Sequence, residues 1–298
     1  MCVLSLVMLI ACGTDSKKKE VEKEVVKKEQ LNVISVNYPL HYFAERIGGN
    51  LVKAVYPIPN NVDPAYWIPQ DSTLMLYQNA EVILSNGADY AKWMQNVSLP
   101  SSRIVNTTAS IKDKLIEVEQ GASHSHGDQG EHVHMGYAFT TWLNFEMAQT
   151  QAEAVKEALV AKRPEDKVLL EANYKKLNSE LAQLHTEMLT IGEQLHDQGL
   201  IGSHPVYQYL AKAYHLHMSS VHFEPSEMPT KKQWHDFDHE VSHHPAKIML
   251  WEGEPLAEVK AKIEAKGVKV VVFNPCGNKP SSGDFISVMR ANVQNLKP

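Results

Sequence analysis

Glu165 to Gln198 reads EDKVLLEANYKKLNSELAQLHTEMLTIGEQLHDQ. Its apolar residues fall at Leu170, Tyr174, Leu177, Leu181, Leu184, Met188, Ile191 and Leu195, a 4-3-4-3-4-3-4 spacing. That period is one face of a helix. Pro164 precedes it, where a helix can begin without needing the missing N–H, and Gly199 follows it. A helix of about 34 residues is a rod of roughly 50 Å, longer than one small domain needs. The spacing also suits a coiled-coil dimerisation helix. However, strand-helix patterns lie on both sides of the rod and can bury its stripe within one chain, which favours a monomer.

Working outward from the rod, both flanks alternate strand and helix. On the N-terminal side, strands are expected at Leu31–Asn37, Val52–Tyr56, Val82–Ser85 and Arg103–Asn106. Helices are expected at Tyr38–Ile47, Asp71–Asn79, Asp89–Asn96 and Phe145–Ala161. The stretch Pro57–Pro69 contains four prolines and reads as a structured loop. After the rod come strands at Leu200–Ser203, Met218–Phe223, Lys247–Trp251 and Val268–Phe273. Helices are expected at Pro205–Tyr214, Thr230–Ser242, Pro255–Lys266 and Asp284–Leu296. The fold class is therefore α/β: two lobes with mostly parallel sheets, joined by one long α-helix, with a ligand cleft between them. The expected divisions are an N-terminal lobe over 31–163, the connecting helix over 164–198 and a C-terminal lobe over 199–298. In open sheets of this kind ligands sit beyond the carboxyl ends of the strands. Those ends are Asn37, Asn86, Ser203-His204, Glu252 and Asn274.

Met1 to Ala11 is nearly all apolar but too short to span a bilayer. It reads as the apolar part of a signal peptide, although the usual positive n-region is missing, which leaves the true start open. Leu9-Ile10-Ala11-Cys12 resembles a bacterial lipobox, which implies lipidation of Cys12. Residues 12–30, rich in Lys, Glu and Val, then read as a charged tether. The protein is expected in the bacterial cell envelope, lipid-anchored on the periplasmic or extracellular face of the membrane. With Cys12 lipidated and Cys2 removed, Cys276 is the one thiol left and makes no internal disulfide. A net charge of −6 and no basic stripe argue against a nucleic-acid partner.

Short motifs now carry a family resemblance over nearly the whole mature chain. They are Asn37-Tyr38-Pro39-Leu40 with Ile47-Gly48-Gly49, Asn61-Val62-Asp63-Pro64, and Asn86-Gly87-Ala88-Asp89 with Trp93. Trp142-Leu143, Ser203-His204-Pro205, Glu224-Pro225-Ser226, Glu252 and Asp284 to Arg290 complete the set. In this order and spacing the chain resembles the zinc/manganese solute-binding lipoproteins of bacterial ABC importers. The resemblance implies no enzymatic activity, a zinc (or manganese or other divalent metal) ligand, and an ABC permease as partner. It also implies four metal-ligand positions, and three are altered here. Ala65 and Thr140 stand where histidines are expected, and Asn274 stands for an acidic residue; His204 is retained.

Zinc takes about four N, S or O donors, so other residues must substitute or the cleft holds something else. Glu252 at a strand end is the best substitute, with Asp63, His41 and Cys276 in plausible reach. Cys276 also reads as a small buried residue, His41 as a solvent-facing one and Asp63 as a loop cap. Tyr66 and Trp67 beside His204 and Glu252 leave open a metal chelate or an organic ligand. A second cluster packs His124, His126, His132 and His134 with two carboxylates into the segment 121–136. His-x-His in an extended chain can pinch an ion, and the resemblance implies a collector feeding the cleft. His235, His239 and His243 recur at four-residue steps, which reads as one exposed helix face. The leading expectation is a metal-capturing importer lipoprotein. The alternative is a relative of the same fold that binds another ligand, or serves as an envelope metal buffer or adhesin. A hydrolase comes third, because neither Gly-x-Ser-x-Gly nor a phosphate loop is present, and the His-Glu-x-x-His at His239 to His243 falls on the helix face read as exposed.

Overall fold

The computed structural model describes residues 29–118 and 136–298, together with the backbone of two short strands at 123–125 and 131–133. The expected signal peptide, Cys12 and most of the expected tether lie outside the described residues, as do His126 and His134.

The N-terminal sheet holds β1 (Leu31–Ser35), β2 (Val52–Val55), β3 (Val82–Ser85) and β4 (Ile104–Asn106), in the order β2-β1-β3-β4. All its pairs are parallel. Its helices are α1 (Tyr38–Gly48), α2 (Asp71–Asn79) and α3 (Phe145–Lys162). Between them, β5 (Glu117–Val118) pairs antiparallel with β8 (Gly136–Tyr137). Within the segment 121–136, β6 (Ser123–Ser125) pairs antiparallel with β7 (Glu131–Val133), His124 being the register partner of His132.

The rod is α4 (Lys167–Leu195), 29 residues and about 43 Å long. A 3-10 turn at Pro164–Asp166 precedes it. Its stripe is covered within the chain: Leu170, Leu177, Leu181, Leu184, Met188, Ile191 and Leu195 are buried, and Tyr174 is half-buried. The stripe packs against α1, α3 and the last helix, so no coiled-coil partner is needed. Burying each such side chain is worth about 1.5–3 kcal/mol. At Gly192 the backbone of Tyr214 comes so close that an added Cβ would lie 2.1 Å from its carbonyl oxygen.

The C-terminal sheet contains β9 (Gly199–Gly202), β10 (His217–Ser220), β11 (Ala246–Trp251) and β12 (Lys269–Val272), in the order β10-β9-β11-β12, again all parallel. Its helices are α5 (Gln208–Ala213), α6 (Lys231–His243), α7 (Ala257–Glu264) and α8 (Phe285–Leu296). Two parallel-sheet lobes joined by one long helix are thus the observed architecture. One apolar core runs from the first sheet through α4 into the second, and another, with Phe223, Phe237 and Trp251, lies in the C-terminal lobe.

Two expected helices are reduced. Asp89–Asn96 yields only a 3-10 turn at Lys92–Asn96. Ala88, Asp89 and Ala91 there take left-handed φ of 50°, 58° and 53°, which no α-helix can contain. The helix expected from Pro205 begins at Gln208, because the Val206 N–H donates back to the His204 carbonyl in a tight turn.

In each sheet the chain leaves the first strand toward one edge and returns to the other side. The switch points therefore lie between β1 and β3, and between β9 and β11. The crevice at such a point is where open α/β sheets bind ligands.

Candidate functional site

Asn37 and Asn86 stand just past β1 and β3, at the N-terminal switch point, and fill it themselves. Asn37 Oδ1 caps α1 by accepting from Leu40 N–H, and its Nδ2 donates to Asn86 Oδ1. Gln151 Nε2 donates to the same Asn86 oxygen, and Thr108 Oγ1 donates to the Asn86 carbonyl. Asn37, expected in the cleft, is instead fully buried in this lattice.

The C-terminal switch point is built differently. His204 follows β9 and Glu252 follows β11. Both face a cavity of about 520 Å³ between the lobes. Glu224, Gln208 and Asn274 join them from the C-terminal side, and Asp63, Tyr66, Tyr90 and Thr140 from the N-terminal side. Bonds between the lobes frame the space. Trp142 Nε1–H donates to the Pro275 carbonyl at 2.7 Å, and Tyr38 N–H to the Gly277 carbonyl at 2.9 Å. Asn278 Nδ2 donates to the carbonyls of Pro59 and Val62.

His204 is 3% exposed and still lines the cavity. Its Nδ1 lies 3.9 Å from Glu224 Oε1. Its ring also meets that of His222 edge-on, centroids 5.6 Å apart. Burial lowers the pKa of His222. Burial, then Glu227 and Asp63, pushes the Glu224 carboxyl up to about 7. Burial, then Asp63 and Glu224, pushes Glu252 up to about 8. Three carboxyl groups thus crowd one low-dielectric space, and a cation entering it would relieve their repulsion. Among the described residues, no three His, Cys, Asp or Glu side chains already converge as a metal site.

The altered ligand positions have structural occupations. Ala65 is buried and lines a second, aromatic cavity of about 450 Å³ with Trp67 and Trp93. Trp67, expected in the cleft, belongs to that second cavity; Tyr66 and Phe139 border both. Thr140 Oγ1 donates to the Val206 carbonyl. Asn274 Oδ1 accepts the N–H of Cys276, two residues on, at 2.7 Å. That bond supports the left-handed φ of 57° at Cys276. Asp63 Oδ1 caps its loop by accepting from Ala65 N–H while the residue lines the cavity.

Cys276 lines the cavity, and burial, then Asp284, pushes its thiol up to about 12. His41, expected to face solvent, is buried against Tyr38 and Tyr56 with Glu45 Oε2 at 3.4 Å, away from the cleft. His235, His239 and His243 lie exposed on α6, the last two rings stacked 4.1 Å apart. Glu224 enters the site although sequence reading marked it only as part of a motif. Its signal was the polar end of the predicted strand at Met218–Phe223.

Comparison with known proteins adds the family. A match to the family described as ZnuA, zinc-uptake complex component A, periplasmic, spans residues 33–298. The high-affinity zinc uptake system protein ZnuA of Yersinia pestis is 22% identical over 280 residues, covering 86% of this chain and 87% of that protein. Zinc-binding protein AdcA of Streptococcus pyogenes is 22% identical over 295 residues, but the match covers only 57% of that longer protein. Among solved structures, the metal-dependent lipoprotein YcdH of Bacillus subtilis superposes with a TM-score of 0.75 at 20% identity, covering 90% of this chain and 98% of that one. The chain belongs to the ZnuA family of periplasmic zinc-uptake components.

Proposed function

We propose that this protein captures zinc, or a related divalent metal, in the cleft between its lobes and delivers it to the permease of an ABC importer. The protein is a binding component of metal uptake and not an enzyme. The observation that carries the reading is the C-terminal switch point. His204 and Glu252 stand at adjacent strand ends, Glu224 lies beside them, and all three line one cavity. An imidazole and carboxylates suit a divalent ion of borderline hardness. In this reading Cys12 carries a lipid anchor and the segment 121–136 gathers metal beside the cleft, where Val118 and Tyr137, which flank that segment, line the cavity. The relatives' names, which speak of zinc uptake and zinc binding, support zinc as the ion.

The test is calorimetry with zinc on the mature chain, on the same chain with His124, His126, His132 and His134 changed to Ser, and on His204→Ala. Tight one-to-one binding that survives the loop changes and is lost with His204→Ala is expected. Binding that is weak, multiple and abolished by the loop changes would remove the cleft from metal capture.

The size of the cavity favours a second reading of the cargo. About 520 Å³ is far more than a bare ion fills, at roughly 30 Å³ for each water. The ion then enters with water or with a small chelator still attached. Tighter binding of a zinc–chelator complex than of zinc alone would select this form.

A further inference from the structure

The family pattern leaves this chain one imidazole in the cleft, yet a second stands behind it. After β10 the chain stays extended alongside β9: Val221 N–H donates to the Gly202 carbonyl and Phe223 N–H to the Ser203 carbonyl. Side chains along an extended strand alternate. Phe223 points into the outer core of the C-terminal lobe, so His222 and Glu224 turn to the opposite side, where His204 is. The recorded contacts agree: Glu224 Oε1 lies 3.9 Å from His204 Nδ1, and the His222 ring lies 5.6 Å from the His204 ring. The segment is anchored from below as well, since Gln233 Nε2 of α6 donates to the His222 carbonyl.

We propose that His222 and Glu224 join His204 as the metal donors of this protein, with Glu252 completing the set from the neighbouring strand end. The proposal rests on the cleft being the metal site and deepens that reading. It draws an imidazole and a carboxylate from one short extended segment, Glu224 lining the cavity and His222 standing behind His204, where the family positions carry Ala65, Thr140 and Asn274 instead of ligands. Two imidazoles and two carboxylates form a donor set zinc accepts, and their two negative charges offset the dication. Donors on a tetrahedral ion at roughly 2.0 Å stand about 3.3 Å apart. The 3.9 Å separation of His204 and Glu224 therefore needs to close by about half an ångström. Side-chain rotations on binding are ordinary, and the four donors need them, since among the described residues no three yet converge as a metal site.

The experiment uses the mature chain with His124, His126, His132 and His134 changed to Ser, so that the collector adds no signal. It is loaded with less than one equivalent of zinc. X-ray absorption at the zinc edge counts bound imidazoles, and competition with a chelator of known strength gives the affinity. The parent is expected to show two imidazoles. His222→Asn and His204→Asn should each show one, with zinc held at least about 100-fold more weakly, above the 10–100-fold loss typical of an outer partner. Glu224→Gln should weaken zinc while keeping both imidazoles, which separates loss of a donor from collapse of the segment. Unchanged affinity and imidazole count in His222→Asn, with His204→Asn still weakened, overturns the proposal and leaves the cleft reading standing. If neither His204→Asn nor Glu252→Gln changes zinc binding, the cleft reading falls and the proposal with it.

Discussion

Asn37 donates its side-chain amide to Oδ1 of Asn86 across 3.1 Å, and this bond closes the crevice of the N-terminal sheet. The same place in the C-terminal sheet is held by His204 and Glu252 and lies open to the cavity. Two sheets of matching strand order thus differ at the one spot where such sheets bind ligands. The N-terminal lobe serves mainly as the wall and adds Asp63, while the C-terminal lobe supplies His204, Glu224 and Glu252.

If the N-terminal crevice is structural, Asn86→Ala should destabilise the fold by about 2–3 kcal/mol, because buried Asn37 Nδ2 loses its acceptor and Gln151 Nε2 keeps only Thr107 Oγ1. Urea unfolding measures this. Zinc stoichiometry should not change, and a lost zinc site would return the crevice to the metal site.

Close approach of the rod to Tyr214 gives a second prediction. A Cβ at position 192 would meet the Tyr214 carbonyl oxygen at 2.1 Å, and backbone cannot swing aside as a flexible side chain can. Gly192→Ala should therefore cost about 1–3 kcal/mol, read as a lower Tm. Ala substitution at the neighbouring Glu193, which is exposed, should have almost no effect.

The rod and both sheets were legible in the sequence because apolar period and apolar runs report burial directly. The stripe from Leu170 to Leu195 and the run Val82–Ser85 lie where their patterns put them. The left-handed residues at Ala88, Asp89 and Ala91 were not legible, since alanine carries no preference for that conformation. The site was legible only in part. Strand ends pointed to His204 and Glu252, but the pattern could not show that Asn37 and Asn86 satisfy one another. It was also silent on the extended run His222–Glu224, because direction past a strand end depends on bonds to Gly202 and Ser203 rather than on local composition.

The raised carboxyls predict a pH dependence of stability. Glu252 is pushed to about 8 and Glu224 to about 7 in the fold, above the roughly 4.3 of an unfolded glutamate. Between these values the folded state binds more protons than the unfolded one, so stability falls as pH rises through that window. It should be greatest below about pH 4–5 as far as these two groups decide, and level off above about 8. Glu252→Gln should flatten the slope of Tm against pH between 5 and 8. An equally steep slope in the variant would show that Glu252 does not carry it.

The same groups predict proton release on metal binding. A cation favours the ionised carboxylates, so zinc entering at neutral pH must displace protons from Glu224 and Glu252. Titrations in two buffers of different ionisation enthalpy should give observed heats that differ by the number of protons released. That number should be about one to two at pH 7 and fall toward zero near pH 9. His124→Ser with His132→Ser, a pair of register partners in β6 and β7, should leave this tight, proton-coupled phase intact and remove only weaker binding. Loss of the proton-coupled phase in that double variant would move the principal metal site from the cleft to the segment 121–136.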